Sequence, residues 1–93
     1  MENYDLLKAQ LLFKLYRKGV WGSKHTPIKN LFHLVDKASI QESKKALKEL
    51  NNFGWILIKI STGEEHINLN PHKNKEIKEY ILRILKIDSN LLG

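Results

Sequence analysis

The stretch from residue 39 to residue 70, SIQESKKALKELNNFGWILIKISTGEEHINLN, constrains the fold of this chain most. Ser39 and Glu42 form a capping box, in which each side chain accepts a hydrogen bond from a backbone amide at the start of a helix. Gly54 ends that helix, since glycine readily adopts the left-handed conformation that follows many helices. The pattern therefore predicts a helix over residues 39–53 with strands directly after it.

Two strands are predicted after this helix. Trp55 to Ile60 is apolar and rich in β-branched residues, and Ser61 to Glu65 has the composition of a turn. From His66 to Asn70 polar and apolar residues alternate, so Ile67 and Leu69 are expected to face inward. We therefore expect a two-stranded antiparallel hairpin.

Three further helices are predicted around this segment. The first runs from Tyr4 to about Arg17, and Gly19 provides its stop. The second starts at Thr26 and Pro27, a threonine N-cap followed by proline at the first helical position. The last spans about residues 72–87. The predicted order is helix, connector, helix, turn, helix, hairpin, helix, which is a mainly α fold with a small antiparallel β-hairpin.

Length and composition indicate one small domain. The chain has 93 residues, of which 42% are hydrophobic, enough for a single core. It has no run of eighteen apolar residues, and its start, MENYDLLK, is charged. We therefore expect a soluble, cytoplasmic protein with no membrane partner. The absence of cysteine excludes disulfides, thiolate metal sites and a cysteine nucleophile.

The formal net charge of +6 favours a polyanionic partner. The positive charge is spread along the chain, and nearly all of it is lysine, since Arg17 and Arg83 are the only arginines. An equally weighted explanation is compositional: a sequence rich in lysine, isoleucine and asparagine is typical of an AT-rich genome.

The segment SIQESKKALKELNNFGWI resembles the recognition helix and following strand of winged helix-turn-helix DNA-binding proteins, above all in the step from Leu50 through Gly54 to Ile56. Residues 4 to 70 fit that architecture. The stretches WGSKHTP and INLNP also resemble small winged-helix proteins of archaea. The resemblance implies a single winged-helix domain over residues 1–93, without enzymatic activity of its own.

The resemblance also implies how DNA would be bound. The helix at residues 39–53 would enter the major groove, with Gln41 at an adenine edge and Lys45 at guanine acceptors or a phosphate. Lys44 and Lys48 would hold phosphates. The predicted DNA-binding residues are Ser39, Gln41, Lys44, Lys45, Lys48, Lys24, Lys29 and Lys59. The alternative for the helix is an ordinary solvated face, because lysine and glutamine are also good helix formers.

Two other regions bear on DNA binding. Lys24 and Lys29 flank the start of the second helix, where the free backbone amides favour a phosphate, and are predicted to contact that phosphate. The alternative is that Thr26 caps these amides. Glu64 and Glu65 are expected at the tip of the hairpin, where two carboxylates repel phosphates.

Catalytic and metal sites are not indicated. The four histidines, at positions 25, 33, 66 and 72, match no ligand motif, and no cofactor is expected. No nucleophile motif, phosphate-binding glycine loop or carboxylate pair on one predicted face of a cleft is present, so the chain is not expected to be an enzyme, and no small-molecule substrate is evident.

The predicted function is therefore binding of double-stranded DNA, as a transcriptional regulator. The last helix and the tail residues Leu91 and Leu92 leave apolar surface over, which predicts homodimerisation through the first and last helices. An equally weighted alternative is that the last helix only caps a small core. One alternative is a protein-interaction winged helix that docks in a larger assembly through the Trp55–Leu57 side of the hairpin. Another is an accessory protein of a mobile element or virus.

Overall fold

A computed structural model describes residues 4–34 and 40–92 of the chain. The described part is mainly helical and contains a small three-stranded antiparallel sheet. The α-helices are α1 (Tyr4–Lys18), α2 (Ile40–Asn52) and α3 (Asn74–Leu85), and the strands are β1 (Thr26–Pro27), β2 (Ile56–Ser61) and β3 (Glu64–Leu69). Short 3-10 helices span Ile28–Leu34, Pro71–Lys73 and Ser89–Leu92.

The predicted hairpin is confirmed, and a third strand extends it. Strand β2 pairs with β3 from Ile56 opposite Leu69 to Ser61 opposite Glu64. The connecting residues Thr62 and Gly63 have φ of 51° and 81°, the left-handed pair that is typical of a type I′ hairpin loop. Strand β1 pairs with the other edge of β3, so the strand order is β1-β3-β2.

The predicted turn over Ser61 to Glu65 is too long. The loop consists of two residues, and Glu64 and Glu65 are the first residues of strand β3. Pairing resumes immediately because the left-handed loop turns the chain with the same twist as the strands. Both glutamates are exposed.

The predicted start of the second helix is also wrong. Thr26 and Pro27 form strand β1, and the helix that follows at Ile28–Leu34 is a 3-10 helix. Thr26 pairs with Ile67, and its hydroxyl accepts a hydrogen bond from the Asn30 side chain at 3.4 Å. Proline is compatible with an edge strand because its missing amide leaves no partner unsatisfied there.

The core is formed by helices packed on the sheet and on one another. Helix α1 packs against both α2 and α3, so two of its faces are covered by helices of the same chain. The predicted inward residues of β3 are fully buried. The buried apolar side chains are Ala9, Leu11, Leu12, Leu15, Val20, Leu31, Ala46, Leu47, Leu50, Ile56, Ile67, Leu69, Ile77, Ile81 and Leu92.

The α1–α3 packing includes a polar contact at its edge. The Tyr80 hydroxyl donates to the Asp5 carboxylate at 3.0 Å, and the Tyr80 ring meets Trp55 edge to face. Burial, followed by the hydrogen bond to Asp5, raises the pKa of Tyr80 far above its usual value. Tyr80 therefore stays a neutral hydrogen-bond donor that ties the last helix to the start of α1.

Candidate nucleic-acid interface

Helix α2 has one buried face and one exposed face, as its periodicity predicts. Ser43, Ala46, Leu47 and Leu50 are buried. The predicted DNA-binding residues on the opposite side, Gln41, Lys44, Lys45 and Lys48, are all exposed. Ser39, and with it the predicted capping box, lies outside the described residues. The described helix thus presents three lysines and a glutamine to solvent.

A step of 100° per residue predicts an apolar face for this helix, formed by Ile40, Ser43, Ala46, Leu47, Leu50 and Phe53, and an opposite face formed by Gln41, Lys45, Lys48, Glu49 and Asn52. Two of these residues do not lie where periodicity placed them. Phe53 was expected on the buried face, but it follows the end of α2 and is 57% exposed. Glu49 was expected on the exposed face with the lysines, but its carboxylate accepts a hydrogen bond from Lys8 of α1 at 2.6 Å. The Lys8 side chain is only 9% exposed. A helical wheel cannot anticipate this ion pair, because it lacks the neighbouring helix.

The Lys8–Glu49 ion pair changes the charge of the exposed face of α2. With Glu49 compensated by a cation of α1, Glu42 is the carboxylate of α2 that still opposes the charge of its lysines. The Lys8 ammonium also lies 5.3 Å from the centre of the Phe53 ring, a cation–π contact that helps to hold it. The exposed face of α2 is therefore more positive than its sequence suggests.

A groove separates α2 from the hairpin. Ile28, Leu47 and Ile58 contribute apolar surface to it, and Lys44 and Lys48 contribute their side chains from α2. Glu65 of β3 lines the same groove, which has a volume of about 290 Å³. An adjacent depression of about 240 Å³ continues from Lys44 past Lys29 to Glu64. The groove thus combines lysines from the helix, an apolar component and carboxylates from the hairpin.

The hairpin carboxylates engage one of the predicted DNA-binding lysines. The Lys29 ammonium lies 3.3 Å from the Glu64 carboxylate, and both side chains are largely solvated. Such an exposed pair contributes at most about 1 kcal/mol, and salt weakens it further. Lys29 is therefore near the groove as predicted, but it is paired with the acidic residue that was expected to repel DNA.

The structure does not bring all the predicted residues together. Ile58 lines the groove, and successive residues of a strand point to opposite faces, so Lys59 points away from α2. Lys24 is exposed in the connector that leads to β1, beside His25 rather than at the start of an α-helix. Three predicted residues converge on the groove: Lys29, Lys44 and Lys48. Gln41 and Lys45 lie on the exposed face of α2.

No helix in the described ranges 4–34 and 40–92 combines the length and apolarity needed to cross a membrane. A scan against protein-family models, a search of curated proteins and a search of solved structures found no match for this chain.

Proposed function

We propose that this chain is a winged-helix protein that binds double-stranded DNA and acts in the cytoplasm as a transcriptional regulator. The order of its elements supports this proposal: a helix, a short strand, two helical segments and a hairpin, with β1 at the edge of β3. The observation that carries the proposal is the exposed face of α2, which presents Lys44, Lys45 and Lys48 while Glu49 is paired elsewhere.

In the proposed complex, α2 lies in the major groove of the duplex. Gln41, in the first turn of α2, has the amide that pairs with the two polar atoms of an adenine edge. Lys44 and Lys48 border the groove beside the hairpin and contact phosphates, while Lys45 reaches a guanine or a phosphate. Affinity then comes mainly from the lysines, and base discrimination comes mainly from Gln41.

Titration of a mixed-sequence duplex at low and moderate salt tests this function. We expect binding at about 50 mM salt that weakens steeply by about 200 mM, because each lysine–phosphate contact releases counterions. The measurement is fluorescence anisotropy of a labelled duplex, with Kd determined at several salt concentrations. Absence of binding at the lowest salt concentration would refute the proposal.

The acidic start of β3 leads to a second prediction. When Glu64 and Glu65 are both changed to glutamine, we expect tighter duplex binding, because two repulsive charges are lost and Lys29 is released from its ion pair. If Lys29 then contacts a phosphate, the slope of log K against log salt steepens by about 1. The same duplex titration measures both quantities.

The matched control changes Glu76 and Glu79 of α3 to glutamine, because this double variant has the same net charge as the Glu64 and Glu65 variant but carries the change on a helix away from the hairpin. Equal tightening in the two double variants means that overall charge, and not the position of Glu64 and Glu65, limits binding.

The alternative function, docking on another protein, is supported by the exposed apolar residues of the hairpin. Leu57 is 42% exposed and Ile60 is 77% exposed, and the mixed charges beside the groove suit a protein surface better than a phosphate backbone. Trp55, expected to join this surface, is half-buried against Tyr80. Under this alternative the duplex titration shows no binding at any salt concentration.

Homodimerisation through the first and last helices stays a proposal, with a smaller apolar surface than the sequence suggested. Leu92 is buried in the core of its own chain, and Leu82 and Leu85 are partly buried. Leu6 and Leu91 are each about half exposed, at 49% and 51%. Sedimentation equilibrium of the wild-type chain measures the oligomeric state directly.

A further inference from the structure

Two histidines that are far apart in sequence meet at the sheet. His25, just before β1, and His66, in the middle of β3, have their Nδ1 atoms 2.8 Å apart. The rings are nearly perpendicular, at 78°, with centres 4.6 Å apart. If the two imidazoles pointed straight at each other with the same distance between their nitrogens, their centres would be further apart than this. The two rings therefore meet at an angle instead of pointing directly at each other.

The backbone on both sides of this pair is held in place. His66 lies in the central strand and pairs with Lys59 on one side and Pro27 on the other. The connector before His25 is fixed on β3 because Gly22 donates its amide to Leu69 at 3.2 Å. The buried Asn68 side chain donates to the Gly22 carbonyl at 2.6 Å, which fixes the connector a second time. The two imidazoles thus come from rigid elements, as a preformed site requires.

The distance between the two nitrogens, which their hydrogen bond sets in the metal-free protein, also matches the ligand spacing of one class of metal ion. With metal–nitrogen bonds of about 2.0–2.1 Å, nitrogens 2.8 Å apart subtend an angle of about 85° at the metal. This is close to the right angle between neighbouring ligands of square-planar or tetragonal Cu²⁺ and Ni²⁺. A tetrahedral ion such as Zn²⁺ would need the nitrogens about 3.3 Å apart.

We infer that His25 and His66 form a two-histidine site for a Cu²⁺- or Ni²⁺-type ion, bound through both Nδ1 atoms. In the metal-free protein one Nδ1 carries the proton that it donates to the other. On binding, that proton moves to Nε2 of the same ring through solvent, so that two neutral imidazoles present lone pairs to the ion. In the described part of the chain no third histidine or carboxylate completes a metal-binding group, so water fills the remaining positions.

The surrounding charges predict a weak, exchangeable site. Lys59 lies opposite His66 on β2, and cross-strand neighbours share one face of the sheet, so a cation is close to the bound ion. Glu64 lies on the same face of β3 as His66, but its carboxylate is paired with Lys29. Changing Lys59 to glutamine should therefore tighten ion binding several-fold while leaving both ligands in place.

The test is titration with NiCl₂ or CuCl₂ alone, followed by equilibrium dialysis and by the imidazole NMR signals. We expect one site per chain in which Cu²⁺ first broadens the signals of His25 and His66. His25→Ala and His66→Ala should each weaken binding at that site at least tenfold, whereas His72→Ala, at an exposed histidine outside the sheet, should leave it unchanged. MgCl₂ serves as the non-binding control, because magnesium prefers oxygen ligands.

Unchanged affinity in both His25→Ala and His66→Ala overturns the inference, as does equal broadening of His72. Because His25 is exposed in a connector, its replacement leaves the β2–β3 pairing intact, and circular dichroism verifies this. The Lys59→Gln variant gives a second readout in which no ligand is removed, and looser or unchanged binding there also counts against the site.

Discussion

Changing Lys44, Lys45 and Lys48 together to alanine is expected to weaken duplex binding by on the order of a hundredfold at about 0.1 M salt. All three side chains are exposed on one helix, so their loss removes up to three phosphate contacts without disturbing the core. The slope of log K against log salt should become shallower by about 2 to 3, since each contact contributes about 0.9. Alanine is also the best helix former, so α2 itself should be preserved.

The matched control replaces Lys18, Lys75 and Lys78, three lysines of α1 and α3, with alanine. Both triple variants have the same net charge, so the comparison separates the position of the charges from their number. If the two variants lose the same affinity and the same salt dependence, binding is a non-specific effect of total charge. The proposed role of α2 would then be wrong.

Breaking the Lys8–Glu49 ion pair is expected to give the second large effect, this time on stability. Glu49→Ala leaves an ammonium whose side chain is 9% exposed without its carboxylate. Breaking a fully buried pair costs about 3–5 kcal/mol and a surface pair costs at most about 1 kcal/mol. Because the Glu49 side chain is 43% exposed, we expect a loss of about 2 kcal/mol in the free energy of unfolding. Urea denaturation measures it.

The reverse replacement gives the diagnostic comparison. Lys8→Met removes the buried charge and leaves a solvated glutamate, so its cost should be within about 1 kcal/mol. The double variant should be more stable than Glu49→Ala alone, because it has no uncompensated buried ammonium. Glu79→Ala, at an exposed glutamate of α3, is the control for removing a helical carboxylate. Additive effects of the two single changes would show that the ion pair makes no coupled contribution.

Much of the local structure of this chain could be predicted from local patterns. Gly19 and Gly54 end the predicted helices, and both have positive φ in the structure. The alternation in β3 correctly identified Ile67 and Leu69 as buried, but Asn68 between them is buried as well, so burial does not alternate there. The exposed positions of Lys45 and Lys48 also followed from periodicity, because each property depends on residues within a few positions along the chain.

The incorrect predictions share a different physical origin. Thr26 and Pro27 have a sequence typical of a helix start, yet pairing with β3 makes them a strand, so tertiary pairing outweighs the capping propensity. The length of the hairpin loop depends on a left-handed backbone conformation at Thr62. Because β-branched residues rarely adopt this conformation, the sequence does not predict it there.

The sequence by itself determined the mainly helical class, the hairpin and the lysine-bearing exposed face of α2. Only the tertiary structure decided how the charges and ligands pair. Lys8 with Glu49, Lys29 with Glu64 and His25 with His66 are separated by 41, 35 and 41 positions along the chain. No local period relates such positions, because their proximity results from packing helices and strands around one core.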